Sequence, residues 1–100
     1  MICVDHLRHY GGSADFRWAW SCHCYDDAGD LEALHRFAAL IGMRRAWFQD
    51  KGHGKLPHYD LNARRRVQAI RQGAHDVDDA KFVADVRAAR ERWRAAAVPR

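Results

Sequence analysis

An imidazole and a carboxylate lie two residues apart at His58 and Asp60, shortly before three consecutive arginines at positions 64–66. A carboxylate beside an imidazole can hold the ring in one tautomer, and the pair can then transfer protons near neutral pH. Alternate side chains of an extended segment point to the same side, so both groups can face one ligand. His23 and His35 lie close to apolar runs that must pack together. We therefore predict that these four side chains converge and carry any acid–base chemistry.

Basic and aromatic residues near this segment favour an anionic ligand. Arginines 64–66 fall in the first turn of a predicted helix, whose N-terminus carries partial positive charge and suits a phosphate. Trp47 and Tyr59 offer flat faces for a base. The alternative is that the arginines form a solvated basic surface. The predicted ligand-binding residues are Asp5, Arg8, Trp47, Gln49, Tyr59, Arg65 and Arg66.

The same histidines and aspartates are also ligand types for zinc or another divalent ion. None of them forms a tight pair, such as two histidines four residues apart on one helix, so we assign no metal ligands. A divalent cofactor is kept only as an alternative. Cys22 and Cys24 fall on the core side of a predicted strand and are expected to act as small apolar residues. Ser13 and Ser21 lack a nucleophile motif.

Short apolar runs and helical periodicity predict one α/β or α+β domain over residues 1–100. The expected architecture is a small sheet of three or four short strands, two core helices and a long C-terminal helix. The predicted strands are 2–5, 18–25, 46–49 and 74–77, with 58–61 extended or in a turn. The predicted helices are 30–41, 63–72 and 79–97. Residues 6–17 and 50–57 are predicted loops, and the second, with two glycines and two lysines, can close over a ligand.

Alternation along residues 18–25 predicts which side of the sheet is buried. Trp18, Trp20, Cys22 and Cys24 share one face, while the other carries His23, so one side of the sheet is expected on the core. The buried positions predicted for the second helix are Val67 and Ile70. Those predicted for the last helix are Phe82, Val83, Val86, Ala89, Trp93 and Ala97.

Composition limits the setting and the partners. The formal net charge of +4 and the isoelectric point near 9.3 favour anionic partners. An anionic small molecule is expected first, a nucleic acid along the arginine-rich last helix is an alternative, and that helix is also a candidate homodimer surface. An odd number of cysteines argues against a disulfide framework. With neither a secretory signal nor a membrane-length apolar run, the chain is expected in the cytoplasm.

Two classes of function fit these residues. One is an enzyme, a hydrolase or transferase, that acts on a phosphorylated or nucleotide-like molecule through histidine–aspartate chemistry. The other is a non-catalytic binding or accessory module that captures a ligand, a nucleic acid or a protein. The sequence does not decide between an enzyme and a binding module.

An ordered set of short motifs over residues 2–77 resembles the small bacterial and phage proteins of the domain of unknown function 4031 family. The motifs are Val4-Asp5 with Arg8, His23, Leu34-His35 with Phe37-Ala38 and Ile41-Gly42, Trp47-Phe48-Gln49, His58-Tyr59-Asp60-Leu61, a basic pair and Gly73-Ala74. The resemblance brings no established activity, and the last helix lies outside it. It implies signature positions at Asp5, Arg8, His23, His35, Gln49, His58, Tyr59, Asp60 and Arg66.

Overall fold

The computed structural model describes residues 1–10 and 20–97. The strands are β1 (Ile2–Val4), β2 (Arg8–His9), β3 (Trp20–Asp26), β4 (Tyr59–Leu61) and β5 (His75–Asp76). The helices are α1 (Leu31–Leu40), α2 (Ala63–Arg71) and α3 (Asp79–Ala97), with a short 3₁₀ helix at Arg45–Trp47. The chain thus has the predicted mixed α/β architecture. Positions 11–17 of the predicted loop, 18–19 of the predicted strand and 98–100 lie outside the described residues.

The central strand, β3, pairs with three others. It is antiparallel to β1, to β2 and to β4, while β1 also pairs with β5 in parallel. Among the residues that the structure describes, the result is a mixed sheet of five strands rather than three or four. The additional strand, β2, lies in the segment that was predicted as a loop. Its two residues form a strand because they pair with Ser21 and Trp20 of β3. Such a short strand carries no readable alternation.

Both faces of the sheet are covered, which corrects the expectation of a single core side. On one face Val4, Cys22 and Cys24 pack with α1 and α2. On the other face Cys3 and Tyr25, which is 0% exposed, pack with residues of α3. Cys24 and Tyr25 are neighbours in β3 and point to opposite sides. The sheet is therefore a middle layer, and His23 lies on the α3 side with Tyr25.

Local signals account for where the helices begin and end. Asp30 accepts a hydrogen bond from the backbone of Ala33, and Asn62 accepts one from the backbone of Arg65, as expected of N-cap residues. Gly42 follows α1 with φ of 76°, a conformation that glycine adopts without strain. All three helices lie within a residue or two of their predicted bounds.

Two predictions about the middle of the chain are wrong. Residues 46–49 do not form a strand: a 3₁₀ turn occupies Arg45–Trp47, and only Gln49 pairs, through a single bridge with His58. Val67 and Ile70 are 47% and 37% exposed, because α2 buries the small Ala69 instead. A short helix that packs closely on a sheet can do so through alanine and leave larger residues at its margins.

Helix α3 buries less of its apolar stripe than its periodicity predicts. Ala89 is buried and Phe82 and Val86 are partly buried, whereas Val83 and Trp93 are 47% and 44% exposed. The packing of α3 is supplemented by a buried hydrogen bond from the Tyr25 hydroxyl of β3 to Asp85 of this helix.

Within residues 1–10 and 20–97, every helix is too short or too polar to cross a lipid bilayer. A homodimer through α3 stays a prediction.

Candidate functional site

His23 is fixed in place by Asp5, which directly follows β1. The fully buried Asp5 carboxylate accepts a 2.6 Å hydrogen bond from the His23 backbone N–H through Oδ1. Its Oδ2 lies 3.0 Å from Nδ1 of the imidazole. Because a carboxylate only accepts, this contact assigns the ring proton to Nδ1 and leaves Nε2 as the open nitrogen. Asp5 thus sets both the rotamer and the tautomer of His23.

His58 and Asp60 form the predicted pair on β4. Nδ1 of His58 donates to the Leu56 carbonyl at 2.8 Å, and Nε2 lies 3.3 Å from Oδ1 of Asp60. Burial lowers the pKa of His58, but the contacts with Asp60 and Leu56 outweigh it and the pKa is raised overall. The same contact lowers the pKa of Asp60. The two shifts favour an imidazolium–carboxylate pair.

Gln49 supports this pair from outside. Its amide Nε2 donates to Oδ2 of Asp60, the oxygen that does not face His58. Two backbone hydrogen bonds, of 2.9 and 3.0 Å, join Gln49 to His58 at the two ends of the 50–57 loop. Gln49 was predicted as a ligand-binding residue, and the structure places it against Asp60, where it orients the carboxylate.

The β3–β4 pairing brings His23 to the same place. His23 and Asp60 are direct partners in the register, and the centroids of the His23 and His58 rings are 4.7 Å apart. The His23 ring also stacks on Phe82 of α3, with centroids 5.0 Å apart. One donor atom from each of His23, His58 and Asp60 lies within 4.8 Å of the other two. Three of the four predicted acid–base residues therefore form one cluster.

A hollow of about 230 Å³ opens beside the two imidazoles, and we call it the imidazole hollow. Its remaining wall has an apolar part and a basic part. The apolar side chains are Leu56, Phe82 and Val86, and the basic ones are Lys51, Lys55 and Arg90. Over residues 1–10 and 20–97, these three cations have no carboxylate within ion-pairing distance. The hollow is therefore cationic, with an imidazole–carboxylate pair at its edge.

The lysines and Arg90 were not among the predicted site residues. The glycines and lysines of the 50–57 loop did indicate a segment able to close over a ligand, and this loop supplies Lys51 and Lys55. Arg90 had no distinguishing signal, since it is one of many arginines in α3. Only the packing of α3 across the sheet reveals that this one faces the hollow.

Arg8 and Arg66 take part in ion pairs within the protein and do not line the imidazole hollow. Arg8 lies 2.5 Å from Asp79 and 3.9 Å from Asp5. Arg66 donates to the Asp5 carbonyl at 2.9 Å and to Asp76 at 2.6 Å. Both guanidiniums therefore connect the end of β1 to neighbouring elements.

His35 and Tyr59 lie on the opposite face of the sheet from the hollow. Tyr59 is 1% exposed, and its hydroxyl is 2.7 Å from Nδ1 of His35. Burial, with a contribution from Arg45, lowers the pKa of His35. Because neighbours in a strand point to opposite sides, Tyr59 faces α1 while Asp60 faces α3. The expectation that His35 joins the other two histidines is wrong, and Tyr59 has no free face for a base.

Trp47 borders a second hollow of about 390 Å³, which also contacts Phe48, Gln49 and Asp60. Its ring is 40% exposed, with the guanidinium carbons of Arg44 and Arg65 lying 5.8 and 5.7 Å from the ring centroid. Arg65 also donates to the Ile41 carbonyl, away from the imidazole hollow. Asp60 lines this second hollow and bonds to His58, which lines the first, so the pair links the walls of the two hollows.

The three cysteines are free, buried and outside the cluster. Burial raises the pKa of Cys22 and of Cys24 to about 12 and that of Cys3 to about 11. Such thiols are protonated near neutral pH and do not act as nucleophiles. Cys22 and Cys24 are core residues, as their position in the strand predicted.

Comparison with known proteins gives a single kind of match. No curated protein and no solved structure matches the chain. A family model described as "Protein of unknown function (DUF4031)" matches residues 2–89. The match extends past residue 77, where the resemblance was expected to end, and includes the part of α3 that carries Phe82. The chain belongs to this family of proteins of unknown function, DUF4031.

Proposed function

We propose that the imidazole hollow binds an anionic small molecule that carries a phosphoryl group. The observation that carries the proposal is the set of three cations around two imidazoles, Lys51, Lys55 and Arg90, which have no ion-pair partner among the described residues. A phosphoryl group would supply the negative charge that no described side chain provides there. Charge-assisted hydrogen bonds of this kind are about twice as strong as neutral ones.

The size of the hollow limits what it can enclose. Drug-sized ligands occupy pockets of roughly 300–1,000 Å³, whereas the imidazole hollow measures about 230 Å³. It therefore suits a small phosphorylated molecule or the phosphate end of a larger one. The rest of a nucleotide-like ligand would extend past Asp60 into the second hollow, toward the Trp47 ring. A base there would share the indole with Arg44 and Arg65.

The His58–Asp60 pair supplies the chemistry that a hydrolase or transferase of this kind would need. The contacts with Asp60 and Leu56 raise the pKa of His58, so its protonated form persists to higher pH than that of an ordinary histidine. Nε2 of His58 faces Asp60 in the structure, so a departing oxygen would take the proton of the imidazolium by replacing Asp60 at Nε2, and the nearby carboxylate would stabilise the ring's charge until then. The alternative is a binding module that uses the same cations and performs no reaction.

Titration calorimetry tests the binding proposal, with inorganic phosphate, ribose 5-phosphate and adenosine 5′-monophosphate as probes of increasing size. Loss of one charge-assisted contact is worth about 1.5–3 kcal/mol, so Arg90→Ala and Lys51→Ala should each weaken binding about tenfold or more. The matched control is Arg36→Ala, which removes an exposed arginine of α1 that faces Glu32. Equal affinities of the wild type and the three variants for a probe, or no binding of any probe, would refute the proposal.

A turnover assay then separates the two classes. Hydrolysis of p-nitrophenyl phosphate by water releases nitrophenol and phosphate, and it is followed by absorbance. An enzyme should lose its rate in His58→Ala and still bind phosphate, because the three cations remain. A binding module should bind phosphate and release no nitrophenol in either protein.

A further inference from the structure

We infer that His23, His58 and Asp60 form a binding site for a divalent transition-metal ion, for which zinc is the best fit. Two imidazole nitrogens and a carboxylate oxygen are a ligand set that zinc, cobalt and related ions accept, whereas magnesium and calcium prefer oxygen alone. The inference goes beyond the binding of an anion and does not depend on it.

The separations of the three donor atoms are close to what an ion requires. Ligand atoms about 2.1 Å from a tetrahedral zinc lie roughly 3.4 Å from each other. His58 Nε2 and Asp60 Oδ1 are 3.3 Å apart, which already meets this distance. The whole set lies within 4.8 Å, so the remaining ligand, His23, has to approach by an ångström or so. Small side-chain rotations provide such a displacement.

Each of the three ligands has its own outer support, and this separates the cluster from a chance meeting of polar residues. Asp5 accepts from Nδ1 of His23 at 3.0 Å, and the Leu56 carbonyl accepts from Nδ1 of His58 at 2.8 Å. Gln49 donates to the outer oxygen of Asp60. Partners of this type turn the open nitrogen of a histidine toward a metal and raise its basicity. Here Nδ1 of each ring is held by its outer partner, so Nε2 is the nitrogen that each ring offers to an ion.

The competing occupant of the site is a proton. Without an ion, the pair of His58 and Asp60 is held together by the proton on Nε2, and a metal must displace it. Affinity should therefore increase with pH, as for other metal sites whose ligands must deprotonate. Three protein ligands leave at least one coordination position of a tetrahedral ion open, an arrangement typical of catalytic sites rather than structural ones. The open position would face the imidazole hollow.

The test uses the chelator-treated protein without phosphate, titrated with Zn²⁺ by calorimetry and with Co²⁺ by absorbance. One ion per chain is expected. Substitution of an outer-shell partner costs about 10–100-fold in affinity, so His23→Ala, His58→Ala and Asp60→Ala should each cost at least that much. The matched control, His75→Ala, removes an exposed histidine of β5 outside the cluster and should bind like wild type.

A second measurement on the unaltered protein covers variants that fail to fold. Zn²⁺ should shift the Nε2 resonances of His23 and His58 in ¹⁵N NMR spectra and leave those of His35 unchanged. Absence of binding, or shifts confined to other histidines, would overturn the inference. Phosphate is absent here, and the phosphate titrations use the same chelator-treated protein without added metal, so either proposal can fail while the other stands.

Discussion

His23 and Asp60 face each other directly across the β3–β4 pair, although α1, the 3₁₀ helix and the 50–57 loop lie between them in the chain. Directly opposed residues of antiparallel strands have Cβ atoms about 4.5–5.5 Å apart, so this register is enough to make them neighbours. A shift by one residue would place Cys22 or Cys24 opposite Asp60 and turn His23 away. The cluster is therefore a product of strand register.

Asp5→Asn should damage the cluster without removing any of its three members. An asparagine amide can present its N–H₂ to the imidazole, which favours the opposite tautomer and places the proton on Nε2 of His23. We expect Zn²⁺ affinity to fall by about 10–100-fold, as measured by calorimetry. The ¹⁵N chemical shifts of His23 report the tautomer directly. Unchanged affinity in a variant with the altered tautomer would contradict the assigned role of Asp5.

The His58–Asp60 pair should make stability depend on pH in a defined direction. The pKa of His58 is raised by folding, so its contribution is fully present below the ordinary histidine value of about 6.5 and is lost as pH rises through the folded value. The pKa of Asp60 is lowered, so its contribution is lost as pH falls through that folded value. Between these two pH limits we expect the pair to contribute about 1 kcal/mol to the free energy of unfolding, because the Asp60 side chain is 40% exposed and water screens the pair.

Urea unfolding of wild type and His58→Gln from pH 4 to pH 9 measures this contribution as a difference in free energy of unfolding. The difference should be largest in mildly acidic solution and should shrink toward pH 9. A difference that grows with pH would mean that His58 is neutral in the folded protein. Chelator in every sample keeps metal ions out of the comparison.

Tyr25→Phe should destabilise the fold through a buried hydrogen bond that belongs to neither proposed site. The Tyr25 hydroxyl donates to Oδ2 of Asp85 at 2.6 Å, and both side chains are buried. A hydrogen bond to a charged group is worth about 1.5–3 kcal/mol. Lys81 stays beside Asp85 at 3.0 Å and limits the loss to the lower part of that range. The control is Tyr10→Phe, at a ring that is 52% exposed, where urea unfolding should show little change.

Two glycines of the 50–57 loop provide a matched pair for testing how the loop packs on α3. Gly52 and Gly54 have positive φ of 68° and 76°, so alanine is strained at both. A Cβ on Gly54 would lie 3.1 Å from the Arg90 Cα, whereas one on Gly52 would meet nothing within 4 Å. Gly54→Ala should therefore cost about 1–3 kcal/mol more than Gly52→Ala in thermal unfolding, and it alone should weaken phosphate binding. Equal effects of both substitutions would show that the loop does not rest on α3.

The helices and half of the candidate site could be predicted from sequence because their causes are local. Asp30 and Gly42 mark the two ends of α1, and alternation in an extended segment places His58 and Asp60 on one side. The position of His35 could not be predicted from such local signals. It depends on which face of the sheet receives α1, and the sequence predicted only one buried face. Arg90 likewise acquires its role from packing between distant segments.

The three cysteines are inaccessible in the folded protein, so the rate at which a thiol reagent labels them would report local unfolding. Cys3, Cys22 and Cys24 are 0%, 1% and 0% exposed, and they lie on two strands with α1 and α2 on one side and α3 on the other. A thiol reagent can reach them only after one of those layers detaches. The labelling pattern would tell which layer leaves first, since Cys3 lies beneath α3 and the other two beneath α1 and α2.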